Sequence, residues 1–137
     1  MTPVLLDTGV IVALLDRSEA HHEKCAYAIR EIDAPLITCE AVITETCYLL
    51  RGLAGAAEAV VANIAASIFQ VPFQISSDPD GIKTILRKYR DRQIDLADAC
   101  LIRMAEEFET GDILTLDSDF RVYRWGRNKR FQILPGL

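Results

Sequence analysis

The sequence predicts an α/β fold in one domain over residues 1–137: a mostly parallel central sheet of about four to five strands, flanked by helices in three layers. Three observations carry this. Short apolar runs alternate with longer stretches of helical periodicity, as βαβ units require. The connections between them are short. Half of the 137 residues are hydrophobic, enough to fill one core.

In order, residues 3–7 form a buried strand and 8–15 a short helix, with Val10, Ile11, Leu14 and Leu15 at helical spacing. Ser18 caps a helix over 19–32, and residues 35–38 form a second strand. Helices are expected over 40–50 and, rich in alanine, over 55–69, with a third strand at 71–75. Asp78-Pro79 supplies a cap and a first-turn proline for a helix reaching Arg92. A further helix covers 96–108, and strands at 113–116 and 131–134 complete the sheet.

Composition excludes several classes. No stretch approaches the roughly 18 or more uncharged apolar residues of a membrane span, so a cytoplasmic protein without membrane contact is expected. Cys25, Cys39, Cys47 and Cys100 form no CxxC pair and read as reduced thiols in apolar surroundings. Adjacent His21 and His22 face apart on a helix and cannot make an i, i+4 ligand pair. The net charge of −5 is unevenly spread. Residues 121–130 carry +5 and residues 83–92 carry +4, leaving −14 on the other 117. An acidic body with two basic stretches can still grip a polyanion.

Four acids stand where an ordinary fold would not put them. Asp7 and Asp117 end strands, beyond whose carboxyl ends ligands bind in open α/β sheets. Glu45 shares a helical face with Ala41, Val42, Tyr48 and Leu49, and Asp98 lies in register with Ile94, Leu101 and Ile102, one turn after Asp95. Carboxylates converging on one interior point cost several kcal/mol per unpaired ion. No lysine or arginine shares these faces within a turn, so the fitting counter-charge is a divalent cation, and oxygen ligands select Mg²⁺ or Mn²⁺. Individually the acids have plainer readings: Asp7 as a helix cap, Asp98 as an exposed helical acid, Asp117 and Asp119 as loop residues.

Four pieces, in order, carry a resemblance: Leu5-Leu6-Asp7-Thr8-Gly9 with Ala13-Leu14-Leu15-Asp16, then Ile43-Thr44-Glu45, Asp95-Leu96-Ala97-Asp98-Ala99, and Leu114-Thr115-Leu116-Asp117-Ser118-Asp119-Phe120. Together they resemble the PIN-domain nucleases, most closely the VapC-type toxins of bacterial toxin–antitoxin modules. The resemblance implies a PIN-like domain and a metal-dependent endoribonuclease holding one or two Mg²⁺ (or Mn²⁺) ions on Asp7, Glu45, Asp98 and Asp117. It makes Asp95 and Asp119 accessories, with either Asp117 or Asp119 as direct ligand, and gives Thr8 and Thr115 the orienting of carboxylates or water. It also implies an RNA substrate, a small VapB-like antitoxin and a homodimer.

Arg121, Arg124, Arg127, Lys129 and Arg130, interleaved with Tyr123 and Trp125, are the candidate RNA contacts. There, basic groups meet phosphates and a ring stacks on an unpaired base. A solvated charged turn is the alternative. The competing functions are a PIN nuclease that is not a toxin, a silent PIN-like RNA-binding scaffold, and a haloacid-dehalogenase-type phosphatase. That phosphatase would need a second acid where Gly9 stands.

Overall fold

A computed structural model describes residues 2–134. Its centre is a five-stranded, wholly parallel sheet built from β1 (Val4–Leu6), β2 (Leu36–Cys39), β3 (Gln70–Phe73), β4 (Asp112–Leu114) and, last in the chain, β7 (Gln132–Leu134). The strand order is β3-β2-β1-β4-β7. All residues of β1 and β2 are buried, so these inner strands read as continuous apolar runs rather than alternating ones. Pro72, which cannot donate to a ladder, sits in β3 at the sheet edge.

The helices are α1 (Thr8–Leu15), α2 (His22–Glu31), α3 (Glu40–Leu49), α4 (Ala56–Ala65), α5 (Pro79–Lys88) and α6 (Leu96–Glu107). They flank the sheet as an α/β/α arrangement, with α1 against α2 and α3, α3 against α4 and α6, and α5 against α6. The α5–α6 contact is fixed by Asp78, which caps α5 by accepting from the Gly81 N–H at 3.1 Å and takes Arg103 Nε of α6 at 2.7 Å. A Cβ on Gly81 would collide with the Asp78 carboxylate, so glycine is required there. Arg103 and the capping bond hold the Asp78 carboxyl below its ordinary pKa.

The order of strands reverses beside β1: the chain builds outward to β2 and β3, then returns to lay β4 on the other side of β1. This switch point leaves a crevice at the carboxyl edge of the sheet between β1 and β4. Asp7 follows β1 directly, and its N–H donates to the Leu114 carbonyl of β4 at 3.0 Å. Asp117 lies three residues after β4.

Several expected boundaries move. The helix expected from 19 starts at His22, because Ser18 bonds Asp16 instead of capping it. The helix expected to 69 stops at Ala65, releasing Phe69 to be fully buried. The one expected to reach Arg92 ends at Lys88, followed by a 3-10 turn (Arg90–Arg92) and Gln93 at φ 56°, a left-handed residue that no α-helix accommodates. The basic segment after β4 folds into a 3-10 turn (Ser118–Arg121) and a small antiparallel pair, β5 (Arg124–Trp125) with β6 (Lys129–Arg130), which the sequence reading did not anticipate.

Candidate metal centre

Asp7, Asp98 and Asp117 converge: one carboxylate oxygen from each lies within 4.8 Å of the others. Three elements deliver them. Asp7 follows the buried strand β1 and caps α1, its Oδ1 accepting from the Thr8 N–H at 2.7 Å. It is therefore both a helix cap and a member of the cluster. Asp98 lies in the first turn of α6, where the helix dipole favours an anion, and its own N–H is taken by the capping carboxylate of Asp95 at 2.8 Å. Asp117 opens the 3-10 turn, its Oδ1 accepting from the Asp119 N–H at 2.9 Å.

Thr115 ties two of these acids together. Its hydroxyl donates to Asp7 Oδ2 at 2.6 Å and accepts from the Asp117 N–H at 3.0 Å. Thr8 contributes through its backbone N–H, while its Oγ1 is buried and has no hydrogen-bond partner. Glu45, half-buried on α3, lines the same cleft of about 340 Å³ and its charge is felt at Asp7, but it is not among the three converging oxygens. The face of α3 it shares is apolar yet open, with Tyr48 62% and Leu49 54% exposed, so the buried stripe expected through Glu45 runs instead through Val42 and Thr46. Asp95 is likewise exposed rather than on a buried stripe, and it serves as the α6 cap. Asp119 turns away to Arg92, 3.1 Å from its Nη2, in a half-exposed pair of the kind worth at most about 1 kcal/mol. Of the two acids after β4, Asp117 is thus the one aimed into the cleft.

The electrostatics follow from burial. Desolvation pushes the Asp7 carboxyl up to about 6, against the Thr115 and Thr8 hydrogen bonds, with the charges of Asp117 and Glu45 adding to the rise. Asp98 is pushed up to about 8 by burial first, then by the charges of Asp7, Asp95 and Asp117, with a small opposing effect from Tyr123. No basic side chain lines this cleft among the described residues. An all-oxygen donor set and an unpartnered buried hydroxyl together fit a hard divalent cation. Asp7, Asp98 and Asp117 are the residues placed to hold it.

The family model for the PIN domain matches residues 4–126, spanning β1 through β5 and all three convergent acids. The chain belongs to the PIN-domain family. This PIN domain is similar to ribonuclease VapC26 of Mycobacterium tuberculosis, at 27% identity over 96% of this chain and 100% of that protein. Among solved structures it superposes on VapC20 of the same organism, a toxin that cleaves the sarcin-ricin loop, with a TM-score of 0.78 and 21% identity, covering 87% of this chain and 93% of that one. The second likeness is one of fold. The phosphatase alternative falls with this membership, and Gly9, where that chemistry needs an acid, lines the cleft beside Leu116.

The basic segment is redistributed by the fold. Arg121 is exposed on the 3-10 turn that carries Asp117 and Asp119. Arg124 spends its Nη1 on the carbonyls of Arg121, Val122 and Tyr123, which closes its own turn. Arg127, Lys129 and Arg130 are exposed, but on the hairpin. Gln132, just beyond Arg130, pairs with Asp112 at the amino edge of the sheet, opposite the acids. The Gly126 N–H donates to Glu106, eight residues beyond Asp98 on α6, or roughly 12 Å along the helix. Base stacking by Tyr123 is ruled out by its burial, at 1% exposure. Trp125 is half-buried against Gly111, with Lys129 Nζ 4.6 Å from its ring centroid. Tyr123 is the site residue that the sequence reading placed elsewhere: its hydroxyl donates to Asp98 Oδ2 at 3.3 Å. Its spacing from Asp98 carries no periodic signal.

Proposed function

We propose that this PIN domain is a Mg²⁺- or Mn²⁺-dependent endoribonuclease, the toxin of a VapBC-like toxin–antitoxin pair. The observation that carries the reading is the convergence of Asp7, Asp98 and Asp117 beside the unpartnered Thr8 hydroxyl, at the switch point of a PIN fold. The ribonuclease and toxin names of VapC26 and VapC20 support the substrate class and the role. Bound there, one or two divalent ions supply charge stabilisation at the scissile phosphate and acidify the attacking water.

The chain's own residues do the rest. Asp7, Asp98 and Asp117 hold the ion, with Glu45 as the fourth acid on the rim. Thr115 fixes Asp7 and the backbone entering Asp117, so these two are set before any ligand arrives. Thr8 Oγ1 is free to take a water or substrate oxygen. Asp95 and Asp119 act as accessories, the first through the Asp98 N–H and the second through Arg92. Arg121 is the basic residue placed to meet phosphate beside the acids, while Arg127, Lys129 and Arg130 meet RNA only where it runs on across the hairpin.

The homodimer and the antitoxin belong to the same reading. Tyr48, Leu49, Leu53, Ile75 and Leu96 are exposed apolar residues on and around α3 and the start of α6, a surface suited to a second copy. Among the described residues no helix is long and apolar enough to cross a membrane, and the cytoplasm is the compartment an RNA substrate implies.

The test is the chemistry of the ends. Because water attacks rather than the ribose 2′-hydroxyl, RNA cut with Mn²⁺ present should carry 5′-phosphate and 3′-hydroxyl termini. Cyclic 2′,3′-phosphate products would contradict the mechanism. Growth arrest on expression, relieved by a co-expressed small protein encoded next to it, is the outcome expected of a toxin; growth without arrest would favour a nuclease of another role, and metal binding without cleavage a silent scaffold.

A further inference from the structure

We infer that Tyr123 is a positioning residue for the metal centre, its hydroxyl holding the Asp98 carboxylate in the orientation that meets Asp7 and Asp117. This rests on the reading of those acids as metal ligands. The Tyr123 hydroxyl reaches Asp98 Oδ2 at 3.3 Å. Its ring is held edge-on by Tyr89, with centroids 4.9 Å apart, and by Phe120 at 5.0 Å, and Phe120 is held in turn by Phe131 at 5.3 Å. A ring packed on two sides in this way delivers its hydroxyl to one place.

The backbone carries the same constraint. The Tyr123 N–H donates to the Asp119 carbonyl at 3.1 Å, within the turn that Asp117 opens, and the next N–H, of Arg124, donates to the Tyr89 hydroxyl at 2.8 Å. One short segment therefore bears both Asp117 and the group that holds Asp98. Asp98 itself rides on α6, a separate element. The Tyr123–Asp98 bond sets the spacing between the two carboxylates across that gap. At 3.3 Å the bond is longer than the roughly 3.0 Å upper range for a hydroxyl donor, so it is a weak one.

Two variants separate this role from plain packing. Tyr123→Phe keeps the ring and removes the donor; Met104→Leu disturbs the packing of α6, the helix that carries Asp98, and removes no hydrogen bond. Mn²⁺ binding is measured by calorimetry and RNA cleavage is followed against Mn²⁺ concentration. Tyr123→Phe should weaken Mn²⁺ binding by about 10-fold, the lower end for losing a hydrogen bond to a metal-binding side chain. Its cleavage rate should return to within about 2-fold of wild type once Mn²⁺ saturates, since the donor acts on the ligand and not on the reacting atoms. Met104→Leu should leave Mn²⁺ affinity unchanged. Equal affinities for wild type and Tyr123→Phe, or equal losses in both variants, would overturn the role. Wild-type protein that binds no Mn²⁺ would instead overturn the metal-centre reading beneath it.

Discussion

At the scale of the residue, the centre is a set of acids that the fold holds against their own electrostatics. Ionising Asp98, raised to about 8, costs the metal-free fold on the order of several kcal/mol, at about 1.4 kcal/mol per pKa unit. Asp98→Asn removes that charge. At pH 8.5 the metal-free variant should melt higher than wild type, by roughly 3 °C or more, while RNA cleavage falls about 100-fold or more. Calorimetric melting and a cleavage assay on one preparation check both. The pH dependence has a definite sign. Because Asp7 and Asp98 have folded pKa values raised to about 6 and about 8, the metal-free fold binds more protons than the unfolded chain between pH ~4 and ~8. Its stability should fall as pH rises through that window, as far as these two groups are concerned, and level off above. Mn²⁺ must displace those protons, so its affinity should rise from pH 6 to about 8 with proton release, measurable by calorimetry in buffers of different ionisation enthalpy.

At this scale the sequence was informative about which acids come together and less so about their surroundings. Asp7 and Asp117 declare themselves by following apolar strands, and Asp98 by its register on an apolar helix. Glu45 was legible as an acid on an apolar face, but an apolar face left open to solvent has the same periodicity as a buried one. The contact of Tyr123 with Asp98 was not legible, because the two are 25 residues apart on different elements.

At the scale of the element, all five strands of the main sheet and all six helices stand in the predicted order, because short apolar runs mark the inner strands and helical spacing of apolar residues marks the helices. The hairpin of β5 and β6 was missed because two-residue strands have no period to show. The hairpin carries Arg127, Lys129 and Arg130 away from the acids, toward the opposite edge of the sheet. The fold therefore predicts different consequences for two groups of basic residues. Arg121→Ala should lower cleavage of short and long RNA alike. Replacing Arg127, Lys129 and Arg130 together by alanine should spare the shortest cleavable RNA and weaken only longer substrates. Each lost phosphate contact should flatten the salt dependence of binding by about 0.7 in log–log slope for single strands. Filter binding across a salt series, with RNA of graded length, separates the two groups.

At the scale of the whole molecule, topology gathers the site. The reversal of strand order beside β1 opens one crevice, and the three acids arrive there from a strand end, a helix start and a turn. The same arrangement leaves Glu45 in a helix whose outer face, Tyr48, Leu49 and nearby Leu53, is apolar and exposed. Under the proposed dimer, Tyr48→Glu should yield monomers in sedimentation experiments while the fold persists by circular dichroism; an unchanged mass would place the interface elsewhere. The most direct measurement of the central claim is RNA cleavage by the purified protein with Mn²⁺, with and without EDTA, beside Asp7→Asn and Asp98→Asn variants shown to be folded. The account predicts cleavage by wild type alone, and only without the chelator. Cleavage that survives EDTA, or that both variants retain at the wild-type rate, would contradict it.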